Sequence, residues 1–310
     1  MDIDLVYLWV DGNDPQWLEK HNACIGRMEA KSAVNCKGRY ADNDELKYSL
    51  RSIEQYAPWI RKIFIVTDNQ TPKWLDTSNP KVRVVDHKEI MPPVCLPCFN
   101  ATVIEHFLWK IPGLSEHFLF ANDDMFINKE VSPAFFFADD GLPIIRLTHS
   151  RLRDLFLMFK KRCLGIPLKN YVQIVRNAAK LVEKKYGVYY DGKSHHNIDA
   201  YLKSDCQRTE EMFKNEIGRT LSNHVRSGND IQRSLFAYVA LAEKRGHELY
   251  VTQKTSFRFH IQNMKHYDKL EKYNPVLFCM NDSEYANDGD REKVTDFLAK
   301  RFPEKSRFEK

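Results

Sequence analysis

Two adjacent carboxylates interrupt an apolar run in the first half of the chain. Residues 118–126 read Phe-Leu-Phe-Ala-Asn-Asp-Asp-Met-Phe, so Asp123 and Asp124 directly follow a hydrophobic stretch. Like charges beside apolar walls repel each other and are poorly solvated, and a bound cation or raised pKa values can compensate. Hard oxygen ligands at a strand end suit Mg²⁺ or Mn²⁺, especially where phosphates complete the coordination shell. Two interpretations are open, a metal site for phosphate chemistry and a solvated Asn-Asp-Asp turn.

The pattern around this pair predicts alternating strands and helices. Short β-branched and aromatic runs predict strands at 3–10, 63–66, 82–85 and 118–121. Apolar residues at helical spacing predict a helix that Asn43 or Asp44 caps and that ends at Tyr56, and another over 101–110. This order indicates a mostly parallel α/β sheet flanked by helices, whose ligands collect outside the carboxyl ends of the strands. Asp11 also follows a strand, so we expect it to share one crevice with the acidic pair.

Composition indicates a folded enzyme-sized chain. It has 310 residues, of which 43% are hydrophobic, enough for a large core. Its seven cysteines are odd in number and scattered, as is typical of reduced thiols. No apolar run approaches the roughly 18 residues of a membrane span, and the first residues are acidic where a signal peptide would be basic. We therefore expect a cytoplasmic protein.

Positive charge is concentrated between residues 151 and 185. This segment holds ten Lys or Arg and two acids, a charge of +8, whereas the whole chain carries +5. Apolar residues at helical spacing predict two basic amphipathic helices, separated by the sequence Gly-Ile-Pro at 165–167. Such a surface could contact an anionic membrane or an anionic polymer. The alternative is a solvated face above a stripe that packs on the core.

The N-terminal half resembles a known family. Residues 3–14, with the sequence Trp-Val-Asp-Gly at 9–12, resemble the first conserved block of the Stealth family of sugar-1-phosphate transferases. The runs 39–53 and 57–63 resemble the start of its second block, which continues through 96–100 and closes on Asn122-Asp123-Asp124. The family includes bacterial capsular polysaccharide phosphotransferases and the N-acetylglucosamine-1-phosphotransferase that marks lysosomal enzymes. The resemblance implies a GT-A-like nucleotide-sugar fold.

The second half is similar to the third and fourth blocks of the family. His195-His196-Asn197-Ile198-Asp199 resembles the start of the third block, although a Pro often found before the second His is absent. Residues 224–231, which include Arg226, resemble its end, and residues 278–282, which close on Asn281-Asp282, resemble the fourth block. Asp282 could complete the metal site, or Asn281-Asp282 could be only a helix cap.

The chemistry that the resemblance implies assigns roles to these residues. An acceptor hydroxyl attacks the β-phosphorus of a nucleotide-sugar, and the nucleoside monophosphate departs. Asp123 and Asp124 with Mg²⁺ or Mn²⁺ would neutralise the leaving phosphate, and Arg226 would hold the transferred phosphoryl group. His196 is the first candidate for the base, and both His195 and Asp124 remain rivals.

Donor recognition is assigned to the N-terminal blocks. Gly12 allows close approach of a backbone, and Asp11 could accept hydrogen bonds from a ribose or a base. The remaining donor-binding candidates are Trp9, Arg39, Asn43, Arg51 and Asn100. The alternative for Arg51 is that Glu45, Lys47 and Arg51, which lie at helical spacing, interact only among themselves along one helix. The chain contains no glycine-rich phosphate loop of either standard type, so kinase chemistry with ATP is not expected.

These inferences combine into one functional hypothesis. The chain is predicted to have a nucleotide-sugar-binding α/β core at 1–147, a basic helical insertion at 148–190 and a catalytic portion at 191–310 that closes on the same core. It would transfer a hexose-1-phosphate or an N-acetylhexosamine-1-phosphate from a UDP-sugar to a glycan or a lipid-linked oligosaccharide, releasing UMP. Peripheral contact with the inner face of an anionic membrane would use 151–185. A nucleic-acid partner is not expected. The alternatives are a metal-dependent glycosyltransferase that releases UDP, and a basic binding module without catalysis.

Overall fold

The structure, a computed structural model, describes residues 1–28, 32, 34–149 and 151–310, without the side chains at 151, 153, 154 and 161. Ser150 and these four side chains belong to the predicted basic insertion and lie outside the described set. The strands are β1 (Ile3–Leu8), β2 (Ile63–Thr67), β3 (Val82–Asp86), β4 (His117–Asn122), β5 (Met125–Ile127), β6 (Ile144–Thr148), β7 (Lys193–Ser194), β8 (Asp199–Leu202), β9 (His247–Tyr250), β10 (Ser256–His260) and β11 (Leu277–Asn281). The helices are α1 (Pro15–Ile25), α2 (Glu45–Tyr56), α3 (His87–Ile90), α4 (Ala101–Glu105), α5 (Arg151–Leu164), α6 (Asn170–Tyr186), α7 (Lys203–Met212), α8 (Lys214–Gly218), α9 (Ser234–Ala242), α10 (Met264–Tyr273) and α11 (Asp288–Arg301).

A mostly parallel sheet forms the centre of the molecule. Its strand order is β3-β2-β1-β4-β8, in which β1 pairs in parallel with both β2 and β4, and β2 pairs in parallel with β3. Strand β8, from the second half of the chain, closes the edge antiparallel to β4. The predicted mostly parallel sheet with flanking helices is therefore confirmed. The carboxyl ends of β1 and β4 meet at one edge, as expected for ligand-binding sheets of this kind.

Strand β1 is apolar except at Asp4, which pairs with Arg61, because both faces of the central sheet are covered. Alternate side chains of a strand point to opposite faces. Leu5 and Tyr7 accordingly join one hydrophobic cluster with α2, whereas Val6 joins another beneath α4. A strand buried on both faces appears in the sequence as a continuous hydrophobic run rather than an alternating one.

Helix α2 has the predicted extent, but the predicted cap is wrong. Asp44 occupies the position before the helix with a left-handed backbone (φ 64°), and its side chain makes no capping hydrogen bond. Its carboxylate binds the Lys47 ammonium at 2.7 Å instead. The amide of Asn43 donates to Glu45 Oε1 at 2.7 Å, and the Asn43 backbone N–H donates to Glu45 Oε2 at 2.6 Å. Glu45 therefore engages the Asn43 side chain and Lys47 engages that of Asp44, so neither caps the helix.

The helix predicted over 101–110 is shorter than expected. Helix α4 ends at Glu105, and a 3₁₀ turn follows at Leu108–Lys110. Glu105 forms an ion pair with Arg233 at 3.1 Å, and His106 Nε2 lies 2.7 Å from the Ile231 carbonyl oxygen. Tertiary contacts with the second half of the chain thus hold the residues at which the helix ends.

Two smaller sheets bring the second half against the first. One has the order β10-β11-β5, with β11 antiparallel to β5, the strand that follows the acidic pair. The other has the order β7-β6-β9 and lies beside α6 and α9, which pack together in a separate hydrophobic cluster. The two predicted basic helices are present as α5 and α6. Among the described residues, no helix combines the length and the hydropathy that a membrane crossing requires.

Candidate active site

The acidic pair forms the turn between β4 and β5. Asp124 Oδ2 accepts a hydrogen bond from Asn281 Nδ2 at 2.8 Å and lies 3.4 Å from Cys279 Sγ. Asp124 Oδ1 is buried and has no hydrogen-bond partner. Burial and the charge of Asp124 raise the pKa of Asp123 well above its usual range, and burial raises the pKa of Asp124 to about 6. The pair is therefore short of positive charge, the condition that a divalent cation would relieve.

Two further carboxylates lie on the Asp123 side of the pair. The charges of Glu45 and Asp42 both contribute to the raised pKa of Asp123. Burial raises the pKa of Glu45 to about 8, and burial together with Asp44 raises the pKa of Asp42 to about 6. Within the described ranges, however, no group of three or more His, Cys, Asp or Glu side chains converges as a metal cage would. Any cation here would take oxygen ligands from its substrate or from water as well, as Mg²⁺ commonly does.

Asn281, the last residue of β11, connects the acidic pair to a histidine. Arg258 donates to Asn281 Oδ1 at 2.9 Å, which directs the amide nitrogen of Asn281 to the opposite side. That nitrogen donates to Asp124 Oδ2 and lies 3.2 Å from His196 Nε2. Because an amide NH₂ is only a donor, His196 Nε2 must be the acceptor and carries no proton. The unprotonated nitrogen of His196 is thus held beside Asp124.

His196 adopts an unusual backbone conformation. Its φ of 55° lies in the left-handed region, which residues other than glycine occupy at a cost of about 1 to 3 kcal/mol. Burial, and then the charges of Arg258 and Arg233, lower the pKa of His196 well below its usual value. The imidazole is consequently neutral throughout the neutral pH range.

Replacing Arg258 should raise the pKa of His196. Arg258→Gln removes a cation but can keep a hydrogen bond to Asn281, so the protonated imidazole becomes less unfavourable. We expect the imidazole NMR resonances of His196 to titrate at a higher pH in the variant than in the unmodified protein. Arg219→Gln, at an exposed position elsewhere, is the control and should leave the titration unchanged. An unaltered His196 titration in Arg258→Gln would contradict the electrostatic contact.

His195 lies in a different environment from its neighbour. It is buried, with Nδ1 2.8 Å from Ser256 Oγ and Nε2 3.1 Å from Asp199 Oδ1. Asp199 also binds Arg233 at 2.8 Å. Burial acts to raise the pKa of Asp199, but His195 and Arg233 together lower it below the usual range. His195 is therefore enclosed in an ion-paired network, and His196 is the histidine that faces Asp124.

Arg226 lies on a loop that the N-terminal half holds in place. Asn100 is fully buried, and its amide nitrogen donates to the carbonyl oxygens of Asn223 (3.2 Å) and Val225 (3.1 Å) and to Asp230 Oδ2 (2.9 Å). Burial, followed by the charge of Arg39, lowers the pKa of Arg226. The charge of Arg39 also lowers the pKa of His196, so Arg39 lies within electrostatic range of both groups.

Asn100 should contribute strongly to stability. Asn100→Ala would leave the buried Asp230 carboxylate and two carbonyl oxygens without this donor and would remove the cap of α4, at a combined cost of about 3 kcal/mol. Urea unfolding would measure the loss in the free energy of unfolding. Asn229→Ala, in the same loop but exposed, should change it by less than about 0.5 kcal/mol. Equal stability of the two variants would contradict this role of Asn100.

The turn after β1 is tightly packed against the backbone of Tyr40. The Gly12 N–H donates to the Tyr40 carbonyl oxygen at 2.7 Å, and a Cβ at position 12 would lie 2.4 Å from that oxygen. Only glycine fits at such a distance. Gln70 exchanges hydrogen bonds with the backbone of Asp11 at 3.0 and 2.8 Å, while Asp11 Oδ1 accepts from the Asn13 N–H. Trp9 is buried in the main core, and its side chain interacts with the Asp42 carboxylate.

Besides Asn100, three predicted site residues are engaged elsewhere. The Arg51 guanidinium binds Glu309 at 2.6 Å and the Phe302 carbonyl oxygen at 2.8 Å, so it fastens the C-terminal segment instead of pairing along α2. Asn43 is committed to Glu45, as described above. Both oxygens of Asp282 bind Arg291, at 2.8 and 3.1 Å. The structure therefore brings Asn281, and not Asp282, to the acidic pair.

Comparison with known proteins decides the family. Residues 1–29 match conserved region 1 of Stealth proteins, and residues 39–145 match conserved region 2. The chain is 35% identical over 99% of its length to exopolysaccharide phosphotransferase SCO6023 of Streptomyces coelicolor. The chain belongs to the Stealth family. It spans 52% of the length of that relative.

Two further Stealth relatives are covered more completely. Identity is 35% to capsular polysaccharide phosphotransferase fcs1 of Haemophilus influenzae, over 92% of this chain and 79% of the relative. Identity is 29% to exopolysaccharide phosphotransferase cps2G of Lactiplantibacillus plantarum, over 100% of this chain and 96% of the relative. Among solved structures, the galactosyltransferase LgtC in complex with donor and acceptor sugar analogues aligns with a TM-score of 0.48 and 10% identity, covering 98% of this chain and 96% of LgtC.

The two matched Stealth regions contain the acidic side of the site. Region 1 includes the turn at Asp11 and Gly12, and region 2 includes the acidic pair and Asn100. Arg258 is the main site residue that sequence analysis missed. The alternating polar and apolar residues Ser-Phe-Arg-Phe-His of β10 could have indicated that Arg258 lies on the solvent side of a strand. Nothing local indicated that this strand lies beside Asn281.

Proposed function

We propose that this Stealth protein transfers a hexose-1-phosphate or an N-acetylhexosamine-1-phosphate from a UDP-sugar to a glycan hydroxyl, with release of UMP, in capsule or exopolysaccharide synthesis. One observation carries the proposal. The Asn281 amide joins Asp124, in the turn that follows β4 of the central sheet, to the unprotonated nitrogen of His196. The Asn281 amide group therefore has on one side the Asp124 carboxylate, which could bind a metal ion. On its other side is the His196 imidazole, which could take a proton from a hydroxyl group.

Asp123 and Asp124 are the residues that would hold Mg²⁺ or Mn²⁺. The donor set fits because both groups are hard oxygen ligands and Asp124 Oδ1 is buried without a partner. When bound, the cation would neutralise charge on the pyrophosphate and its leaving group. Asp282 is omitted from the proposed ligand set because Arg291 binds both of its oxygens.

In the proposed reaction, His196 takes the proton of the acceptor. The acceptor oxygen forms a bond to the β-phosphorus, the bond from that phosphorus to the bridging oxygen breaks, and its electron pair leaves with UMP. The proton passes to His196 Nε2, which Asn281 holds as an acceptor. A general base of this kind typically contributes about 10²- to 10⁴-fold to the rate. His195 is not retained as a rival because Ser256 and Asp199 enclose it. Asp124 remains the alternative base.

Guanidinium groups would stabilise the phosphoryl charge. Arg226 lies on the loop that Asn100 holds, and Arg39 is within electrostatic range of Arg226 and His196. The charge of Arg39 lowers the pKa of Arg226, so the two guanidinium groups are close enough for one anionic ligand to interact with both. Asp11, Gly12 and Trp9, at the carboxyl end of β1, are proposed to contact the nucleoside. The acceptor is proposed to be a glycan.

The identity of the released nucleotide tests this function. Incubation with UDP-GlcNAc, UDP-GalNAc, UDP-Gal or UDP-Glc, Mn²⁺ and oligosaccharide acceptors should yield UMP with one of these donors, measured by ion-exchange chromatography. Sugar and phosphate should appear together in the acceptor product by mass spectrometry. Release of UDP would instead identify a glycosyltransferase that attacks the anomeric carbon.

A further inference from the structure

We propose that α5 is a docking surface for an anionic lipid bilayer and that the acceptor hydroxyl reaches His196 from a glycan carried by that bilayer. The second half of this statement rests on the proposed function, whereas the first half does not. The proposal adds two assignments to the positive charge of segment 151–185. It names the apolar side chains that would contact the lipid, and it names the class of molecule that carries the acceptor hydroxyl.

The apolar stripe of α5 is exposed to solvent. Leu152, Leu155, Phe156 and Phe159 recur at helical spacing along one face, and their exposed fractions are 85%, 62%, 55% and 57%. In the part of the chain that the structure describes, no α5 side chain belongs to a buried hydrophobic cluster. Helix α6 differs in this respect, because its apolar face packs against α9. Soluble proteins rarely leave such a contiguous apolar surface uncovered, so α5 indicates a binding surface.

The positive charge near the apolar stripe of α5 indicates which kind of partner it binds. Half-buried Lys160 and exposed Arg162 lie on the same helix, exposed Lys169 follows it in the chain, and Lys160 Nζ lies 4.5 Å from the centroid of the Phe156 ring. The segment 151–185 carries +8 while the rest of the chain carries −3. Large apolar side chains flanked by lysine and arginine are suited to an interface of acyl chains and anionic headgroups. A purely apolar protein groove would not require this excess of positive charge.

The docking helix lies close in the chain to Tyr171, a residue that contacts the proposed base. Helix α6 begins at Asn170, and the Tyr171 ring in its first turn packs edge-on against the His196 ring, with centroids 6.1 Å apart. Tyr171 follows Leu164, the end of α5, by seven positions, which an extended chain spans in about 25 Å. A bilayer that contacts α5 would therefore lie within a short glycan's reach of His196. The acceptor class that fits this placement is a lipid-linked saccharide.

Vesicle sedimentation tests the docking surface. We expect the full chain to sediment with vesicles of phosphatidylcholine and phosphatidylglycerol but not with phosphatidylcholine alone. Leu155→Ser/Phe156→Ser/Phe159→Ser should reduce sedimentation at least about tenfold, and Lys160→Gln/Arg162→Gln should reduce it in a salt-dependent way. Controls are Met264→Ser/Tyr285→Ser and Lys265→Gln/Lys269→Gln, which alter exposed residues of the same types elsewhere. Undiminished sedimentation of the triple variant would overturn the proposal. The proposal would also be overturned if the unmodified protein were a dimer in solution and the triple variant a monomer. That result would identify a second copy of the chain as the partner that covers α5.

Acceptor presentation separates this proposal from the proposed function. The triple variant should release UMP at the unmodified rate with a soluble oligosaccharide acceptor, and at least about tenfold more slowly when the same oligosaccharide is attached to a lipid in anionic vesicles. Equal rates with both forms would overturn the acceptor assignment while leaving sugar-1-phosphate transfer intact. No UMP from the unmodified protein with either acceptor would overturn the proposed function, and vesicle sedimentation would still test the docking surface.

Discussion

Asp124→Asn should abolish UMP release and stabilise the fold at the same time. The substitution keeps the side-chain shape but removes a proposed metal ligand, so we expect turnover to fall by about 10³-fold or more. Steady-state assays with saturating Mn²⁺ would measure the loss. Asp139→Asn, at an exposed position, should retain full activity. Turnover within about tenfold of the unmodified protein would contradict the assignment of Asp124.

The stability change has a sign that follows from the pKa of Asp124. Folding raises this pKa to about 6, so the folded protein binds the proton more tightly than the unfolded chain does. Stability contributed by the protonated carboxyl is therefore present at low pH and lost as pH rises from about 4 to 6. Asp124→Asn has no carboxylate to desolvate and should be more stable than the unmodified protein at pH 7.5, by on the order of 1 to 3 kcal/mol. The difference should shrink below pH 4.

Thermal unfolding would distinguish this electrostatic effect from misfolding. The melting temperature of Asp124→Asn should exceed that of the unmodified protein in metal-free buffer. Adding Mn²⁺ should raise the melting temperature of the unmodified protein alone, because ligand binding stabilises only a fold that contains the site. A lower melting temperature for the variant in metal-free buffer at pH 7.5 would contradict the inference that the buried Asp124 carboxylate destabilises the folded protein when no cation is bound.

His196→Asn should lower turnover by about 10²- to 10⁴-fold while the protein remains folded. Asparagine tolerates the left-handed backbone at position 196 better than most residues do, so the free energy of unfolding should change by less than about 1 kcal/mol. The loss should appear in kcat more than in KM, because the imidazole would accept the proton in the transition state and would not contribute to substrate binding. Rates of UMP release at several donor concentrations would measure both.

The neighbouring histidine provides a matched comparison. His195→Asn removes the partner of Asp199 and Ser256, so it should destabilise the fold and lower activity only through the loss of folded protein. If His196→Asn retained turnover while Asp124→Asn lost it, the base would be Asp124. The lowered pKa of His196 also predicts that turnover of the unmodified protein rises with pH to a plateau reached below the usual histidine pKa.

The sequence by itself determined the parts that depend on local pattern. Buried strands β1 to β4, the extent of α2 and the two basic helices were predicted because apolar spacing directly reports which faces of an element are covered. The position of Asp123 and Asp124 at a strand end was predicted in the same way. The family was identified from the density of matching residues around these elements. Each of these inferences uses residues that are close in the chain.

Only the tertiary structure decided which of two adjacent residues faces the site. Sequence left His195 and His196 as rivals and selected Asp282 over Asn281, but consecutive residues at a strand end or turn point in different directions. Their partners lie 85 positions away for His196 and 157 for Asp124, separations that carry no local signature. Arg51 and Asn100 have residue types that suit a ligand, yet other parts of the protein take their hydrogen bonds. Long-range contacts decide such cases, because a buried polar group must be satisfied wherever the fold places it.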